Sequence, residues 1–183
     1  KIEAESEKLR QKLRVITEIK EYVKSLNFSV DFDGVILRKP IRLPTIGDIS
    51  KMGPDFSVFP FKETLEINGS KLKFKGYIYN QKKSIYPPQL RGLLIRVKNT
   101  AIGGPDPGFL DYIRGDKLFF NWTFGEVYVE EGLEEAMNIN RSSFTLSHPH
   151  YQAIRDYLHN LLQQTVFTKC RNRYVERIRE KRK

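Results

Sequence analysis

Cysteine is nearly absent: Cys170 is the only one among 183 residues. That excludes a disulfide framework and a cysteine-built zinc site. Histidine is scarce too, with His148, His150 and His159 alone. The His148-Pro149-His150 spacing is not a helical i, i+4 pair, and no third ligand accompanies it. No apolar run approaches the ~18 residues that a membrane-spanning helix needs. Gly103-Gly104-Pro105-Asp106-Pro107-Gly108 matches neither the Walker pattern nor the dinucleotide fingerprint. Ser142-Ser143 lacks the glycine-flanked elbow of a serine hydrolase. The opening residues, Lys1-Ile2-Glu3-Ala4-Glu5, include neither an initiator methionine nor a secretory h-region. The expectation is a piece of a longer cytoplasmic protein, with no membrane partner.

What the chain does have is positive charge, unevenly placed. It carries 32 basic and 22 acidic residues, for a net charge of +10. Residues 169–183 hold eight basic side chains against Glu176 and Glu180, and so supply +6 of it. Residues 1–26 add +2, which leaves a nearly neutral body between the ends. A groove-binding nucleic-acid domain spreads its charge over one face. A basic terminal tail fits a solvated helix end, an acidic partner such as nucleic acid, or a longer helix cut short. Lys71, Lys73 and Lys75 are further cations for the acidic-partner reading.

The hydrophobic pattern predicts an α+β chain. Leu9, Leu13, Ile16, Ile19, Val23 and Leu26 recur at helical spacing, so residues 1–27 read as a helical arm. Residues 28–62 read as an irregular connector with a short strand or two near Val30 and Val35, because Pro40, Pro44, Pro54 and Pro60 punctuate it. Residues 63–183 read as the main domain, ending in a long basic helix. Asn68-Gly69 between alternating runs signals a hairpin. Leu90–Lys98 is a central-strand candidate, and Leu118–Trp122 and Glu126–Val129 read as further strands. Phe109–Ile113 fits one helical turn or two. Ser147 or His148 can cap a helix with Pro149 in its first turn, and Tyr151, Ile154, Leu158, Leu161, Leu162 and Val166 form its apolar stripe. Phe167, Cys170, Tyr174 and Ile178 extend that stripe. Cys170 on a basic helix is either a packing residue or a thiol of lowered pKa. Residues 1–26 and 150–183 also offer surfaces for a homodimer.

The segment Glu131–Arg141 joins a strand end to a capped helix. Asn138, Asn140 and Arg141 cluster in it with little aliphatic reason to do so. The guanidinium is a planar fork suited to phosphate oxygens, although a polar loop with a structural arginine has the same composition.

Leu93-Leu94-Ile95-Arg96-Val97-Lys98-Asn99, then Gly125-Glu126-Val127-Tyr128-Val129, then Met137-Asn138-Ile139-Asn140-Arg141-Ser142 resembles the middle segment of the ninety-kilodalton heat-shock chaperones. It is still more similar to bacterial heat-shock-like, histidine-kinase-like ATP-binding proteins of the GHKL superfamily. The resemblance covers residues 63–166, with Asn140 where the chaperones have Ser and Ser142 where they have Glu. It implies a transducer domain, a mixed-sheet βαβ-type sandwich that follows an ATP-binding domain. On this resemblance Arg141 is the cation offered to the ATP γ-phosphate, and Asn138 braces its loop beside Asn140. Gyrase-like and mismatch-repair relatives use a loop lysine instead, which makes Lys82 and Lys83 the second candidates. The nucleotide-binding motifs of the superfamily do not occur in these 183 residues. ATP and Mg2+ are therefore expected only in a longer parent, whose preceding ATP-binding domain is the partner.

Overall fold

The structure is a computed structural model that describes Arg14, Thr17, Glu18, Glu21, Val30–Phe32, Val35–Leu37 and residues 56–81, 84–86 and 88–181. Of the helix expected over 1–27, the four described residues are all helical, and Arg14 Nε lies 3.4 Å from the Glu18 carboxylate one turn on. The rest of that expectation lies outside the described residues. Val30–Phe32 (β1) pairs antiparallel with Val35–Leu37 (β2), as the alternation around Asp33-Gly34 predicts. These elements belong to a unit of residues 1–54, and residues 55–183 form a second unit.

The second unit is a mixed five-stranded sheet carrying helices, an α+β arrangement. Its strands are Phe56–Ile67 (β3), Ser70–Gln81 (β4), Gly92–Val97 (β5), Thr100–Ala101 (β6) and Thr123–Glu131 (β7), in the order β3-β4-β7-β5-β6. Asn68 and Gly69 link β3 to β4 with φ of 53° and 77°, the double positive φ of a type I′ turn. β5 and β7 run parallel at the centre, and every other pairing is antiparallel.

One boundary moves. Residues 56–62, expected as connector, are the first half of β3. The reason is Pro60, which lies opposite Tyr77 in an edge strand. An edge strand tolerates a missing N–H on its open side, so the proline that argued against regular structure is accommodated. A second difference concerns Leu118–Trp122. Lys117–Phe120 form a single helical turn (α1), with Asp116 at its start, and the Thr123 hydroxyl donates to the Phe119 carbonyl at 2.7 Å. Adjacent aromatics carry no period that separates a buried strand from a helical turn.

Phe109–Asp111 is also a turn, but of the opposite hand, with φ of 53°, 59° and 59°. Three successive left-handed residues cost roughly 1–2 kcal/mol each. Asp106 holds them by accepting the Gly108 and Leu110 amides at 2.8 and 2.6 Å, while His159 Nε2 meets the Phe109 carbonyl at 2.9 Å.

The chain ends in Pro149–Leu161 (α2), a π-helical segment Leu162–Phe167, and Thr168–Lys181 (α3). His148 caps α2, its ring nitrogen accepting the His150 amide at 3.3 Å, and Pro149 follows in the first turn. Ile154, Leu158, Leu162, Val166 and Cys170 are all buried at strict four-residue steps. In an α-helix each such step overshoots a full turn by about 40°, so the stripe would soon leave the core. The wider π turn takes back that drift and keeps one face inward. The stripe packs with Leu72, Phe74, Ile78, Leu93, Ile95 and Val127 from the sheet.

The other sheet face carries a buried polar group. Glu126, 2% exposed, accepts the hydroxyls of Tyr77, at 3.2 Å, and Tyr128, and its second oxygen faces Arg96 at 3.4 Å. Burial, then the Glu126 charge, pushes the Tyr77 hydroxyl well above its ordinary value. Among the described residues, no helix is long and apolar enough to cross a membrane.

Candidate functional site

The segment from Ala136 to Thr145 folds back on itself beyond β7. The Thr145 amide donates to the Ala136 carbonyl at 2.7 Å, Met137 bridges to Phe144, and the Asn138 amide donates to the Ser143 carbonyl at 3.1 Å. Below the tip this small hairpin is anchored in the core. Leu133 and Ala136 are fully buried, and the Phe144 ring stacks 5.5 Å from Tyr151. The approach to the hairpin is fixed by charge. Glu134 accepts the Gly132 amide at 2.8 Å and pairs with Lys98 at 2.9 Å. Burial alone would raise the Glu134 carboxyl; the Lys98 and amide hydrogen bonds outweigh it and hold the group below its usual value. His150 Nδ1 bonds the Gly132 carbonyl, tying this approach to the first turn of α2.

Asn138 closes the tip. Its side-chain oxygen accepts the Ser142 and Ser143 amides at 2.9 and 3.2 Å, and its amide nitrogen donates to the two serine hydroxyls at 3.2 and 2.6 Å. Its backbone carbonyl accepts the Arg141 amide at 3.0 Å. Asn140 adds an acceptor for the Ser142 hydroxyl at 2.7 Å. Short polar side chains that satisfy nearby amides stabilise such turns in place of a strand ladder. Arg141 sits within this cage at φ 53°, exposed, and its guanidinium has no partner among the described residues. Ile139, two residues earlier, is wholly exposed.

The structure thus brings Asn138, Asn140 and Arg141 into one loop. Lys82 and Lys83 lie outside the described residues. Gln81, just before them, ends β4. The chain leaving β6 carries Gly103, which packs against the Ser142 carbonyl. A cleft of about 190 Å³ lies beside this contact, lined by Leu93, Ile95, Ile102, Tyr151, Asp106 and Ser143. The Gly103-Gly104 stretch fits no phosphate-loop pattern, and no local signal in the sequence places it beside Ser142.

Three arginines of the basic end are engaged by the fold itself. Arg171 pairs with Asp116 at 2.6 Å, Arg173 donates to the buried Asn80 side chain, and Arg177 lies over the Trp122 and Tyr174 rings at 5.9 and 5.4 Å. A cleft of about 130 Å³ opens there, but Glu176 and Glu180 line it alongside Arg173 and Arg177. Its charge is mixed, which does not favour an anion. Lys73 and Lys75 both bind Glu130, at 2.7 Å each, on the sheet. Cys170 is a packing residue: burial pushes its thiol up, against the opposing effect of Arg173. Among the described residues, no three metal-ligating side chains converge.

No protein-family model matches the chain, and no curated protein matches it.

Proposed function

We propose that this chain is the transducer domain of a chaperone-like GHKL ATPase, and that Arg141 delivers the cation that meets the ATP γ-phosphate. One observation carries the reading: the Arg141 guanidinium is exposed and has no partner among the described residues, on a loop that Asn138 closes with four hydrogen bonds, two from backbone amides and two to serine hydroxyls. Its exposed guanidinium is thus available to an acceptor from outside the unit. The resemblance in the Met137–Ser142 string names that acceptor as a phosphate.

The mechanism follows from charge and rigidity. Phosphoryl transfer spreads negative charge over the γ-phosphate oxygens, and a cation placed there lowers the barrier. A loop whose shape is already fixed loses little entropy on docking, so more of the interaction reaches the transition state. Asn138 and the two serine hydroxyls supply that stiffness, and Asn140 orients Ser142. The loop roots in Leu133 and Ala136, within the core that the sheet shares with α2. Docking on the preceding ATP-binding domain therefore pulls on the whole unit and relays closure as a rigid-body movement. Mg2+ and the adenine site belong to that preceding domain.

The test is Arg141→Ala in the longer protein that carries the ATP-binding domain. Turnover falls by about 10³-fold or more while nucleotide binding persists. Unchanged turnover overturns the role. The reading of the basic end as a nucleic-acid surface has less to stand on, because Arg171, Arg173 and Arg177 already have intramolecular contacts.

A further inference from the structure

Gly103 has φ +66°, and a Cβ built on it would lie 2.8 Å from the Ser142 carbonyl oxygen. Gly104, its neighbour, has no atom within 4 Å of a built Cβ and no such backbone requirement. The two adjacent glycines therefore differ: one sits in contact and the other faces open space. The peptide that Gly103 touches is a particular one. The Ser142 carbonyl and the Ser143 amide belong to the same planar unit, and that amide donates to Asn138 Oδ1 at 3.2 Å. A push on the oxygen side of a rigid plane rotates its N–H side as well. Anything that displaces the Ser142 carbonyl therefore loosens a bond closing the loop around Arg141.

Gly103 is itself held by the sheet. On one side the Ile102 amide donates to the Ile95 carbonyl at 3.0 Å, and on the other Asp106 and Leu93 exchange backbone hydrogen bonds at 2.9 and 3.0 Å. The 102–106 stretch thus continues β6 alongside β5, and the hairpin meets it at Gly103, beside the 190 Å³ cleft. We propose that Gly103 is a positioning residue for Arg141: its missing side chain lets the Ser142 peptide seat against the β6 extension, and that seat fixes the loop from which the guanidinium extends. The loop-fixing half of this stands on geometry alone. The catalytic half rests on the transducer reading above.

The two halves are tested separately. In this chain, amide exchange is followed at Ser142 and Ser143 in Gly103→Ala, Gly103→Asn and Gly104→Ala, with Val127 as a core amide that reports intact folding. Gly103→Ala speeds the Ser143 amide by about tenfold or more, while Gly104→Ala leaves it unchanged. Asn adopts positive φ more readily than Ala, so Gly103→Asn isolates the contact from the backbone strain, and it too speeds exchange. Unaltered Ser143 exchange in both Gly103 variants, with the core protected, overturns the proposal.

In the longer protein, Gly103→Ala lowers kcat by about tenfold with KM for ATP unchanged, and Gly104→Ala does neither. If Arg141→Ala lowers turnover and Gly103→Ala does not, the positioning role is wrong even though the transducer reading holds. If Arg141→Ala leaves turnover intact while Gly103→Ala still loosens Ser143, the transducer reading fails, the catalytic half falls with it, and the seating of the loop stands.

Discussion

The arginines of the C-terminal helix and the arginine of the 138–143 loop share a side chain and differ in use. Arg171, Arg173 and Arg177 sit in the stretch that composition marks as basic, yet each is turned to an internal partner: Asp116, Asn80, and the Trp122 and Tyr174 rings. Arg141 sits in a loop of no unusual charge, and it alone of the four has no partner among the described residues. The local charge count therefore does not separate engaged arginines from free ones. What separates them is whether the fold has already given the guanidinium an acceptor. Three cations of the helix end are engaged by the fold, whereas the loop stiffened by an asparagine and two serines leaves its arginine without a partner among the described residues.

The comparison breaks most readily at Arg173. Its Nη2 donates to Asn80, which is fully buried, so Arg173→Ala leaves an acceptor in the core unmet. The expected loss is about 1.5–3 kcal/mol of unfolding free energy, read from urea melts at constant m. Asn138→Ala removes four short bonds at the exposed tip and costs about 1 kcal/mol globally, but it frees the loop locally, which amide exchange at Ser142 and Ser143 detects. Arg171→Ala costs less, up to about 1 kcal/mol, because that side chain is half exposed and its ion pair with Asp116 is screened. Arg141→Ala is smallest, within about 0.5 kcal/mol, since nothing folded depends on the guanidinium. An Arg141 variant that melts like the Arg173 variant would erase the distinction.

Acid sharpens the same contrast without mutation. Burial opposes the charge on Glu130 and Glu134, but the bonds from Lys73 and Lys75, and from Lys98, hold both carboxyls below the usual 4.5. A depressed folded value means that stability is fully present above the unfolded value and is lost as pH falls through the folded one. Thermal melts should therefore be flat near neutrality and fall below about pH 4.5. Glu134→Gln should reduce that fall. Glu134 anchors the approach to the hairpin, so loop exchange should rise with the loss of melting temperature.

Much of the fold is readable from the residues. Asn68-Gly69 names its own turn, the apolar run at Leu93–Val97 names a central strand, and the four-residue stripe from Ile154 to Cys170 names the long helix. Local chemistry determines each of these. The closing of the loop by Asn138 is also visible, because a loop-closing asparagine acts over four or five residues. The failures share a cause. Pro60 breaks a strand only if the strand is internal, and its edge position is a property of the sheet. Leu118–Phe120 has no period to read. The left-handed turn at Phe109 depends on Asp106 and on His159, fifty residues away. The engagement of the basic helix depends on Asp116 and Asn80, 55 and 93 residues distant. Gly103 and Ser142 meet only once β5, β6 and the hairpin are assembled. Contacts made across the sheet leave no mark on either partner alone.

The measurement that bears most directly on the account is ATP turnover in the protein with its ATP-binding domain, comparing Arg141→Ala with Arg171→Ala, a change of equal charge. The account predicts a fall of about 10³-fold for Arg141→Ala, with nucleotide still bound, and near-normal turnover for Arg171→Ala. Equal turnover in the two variants would contradict it.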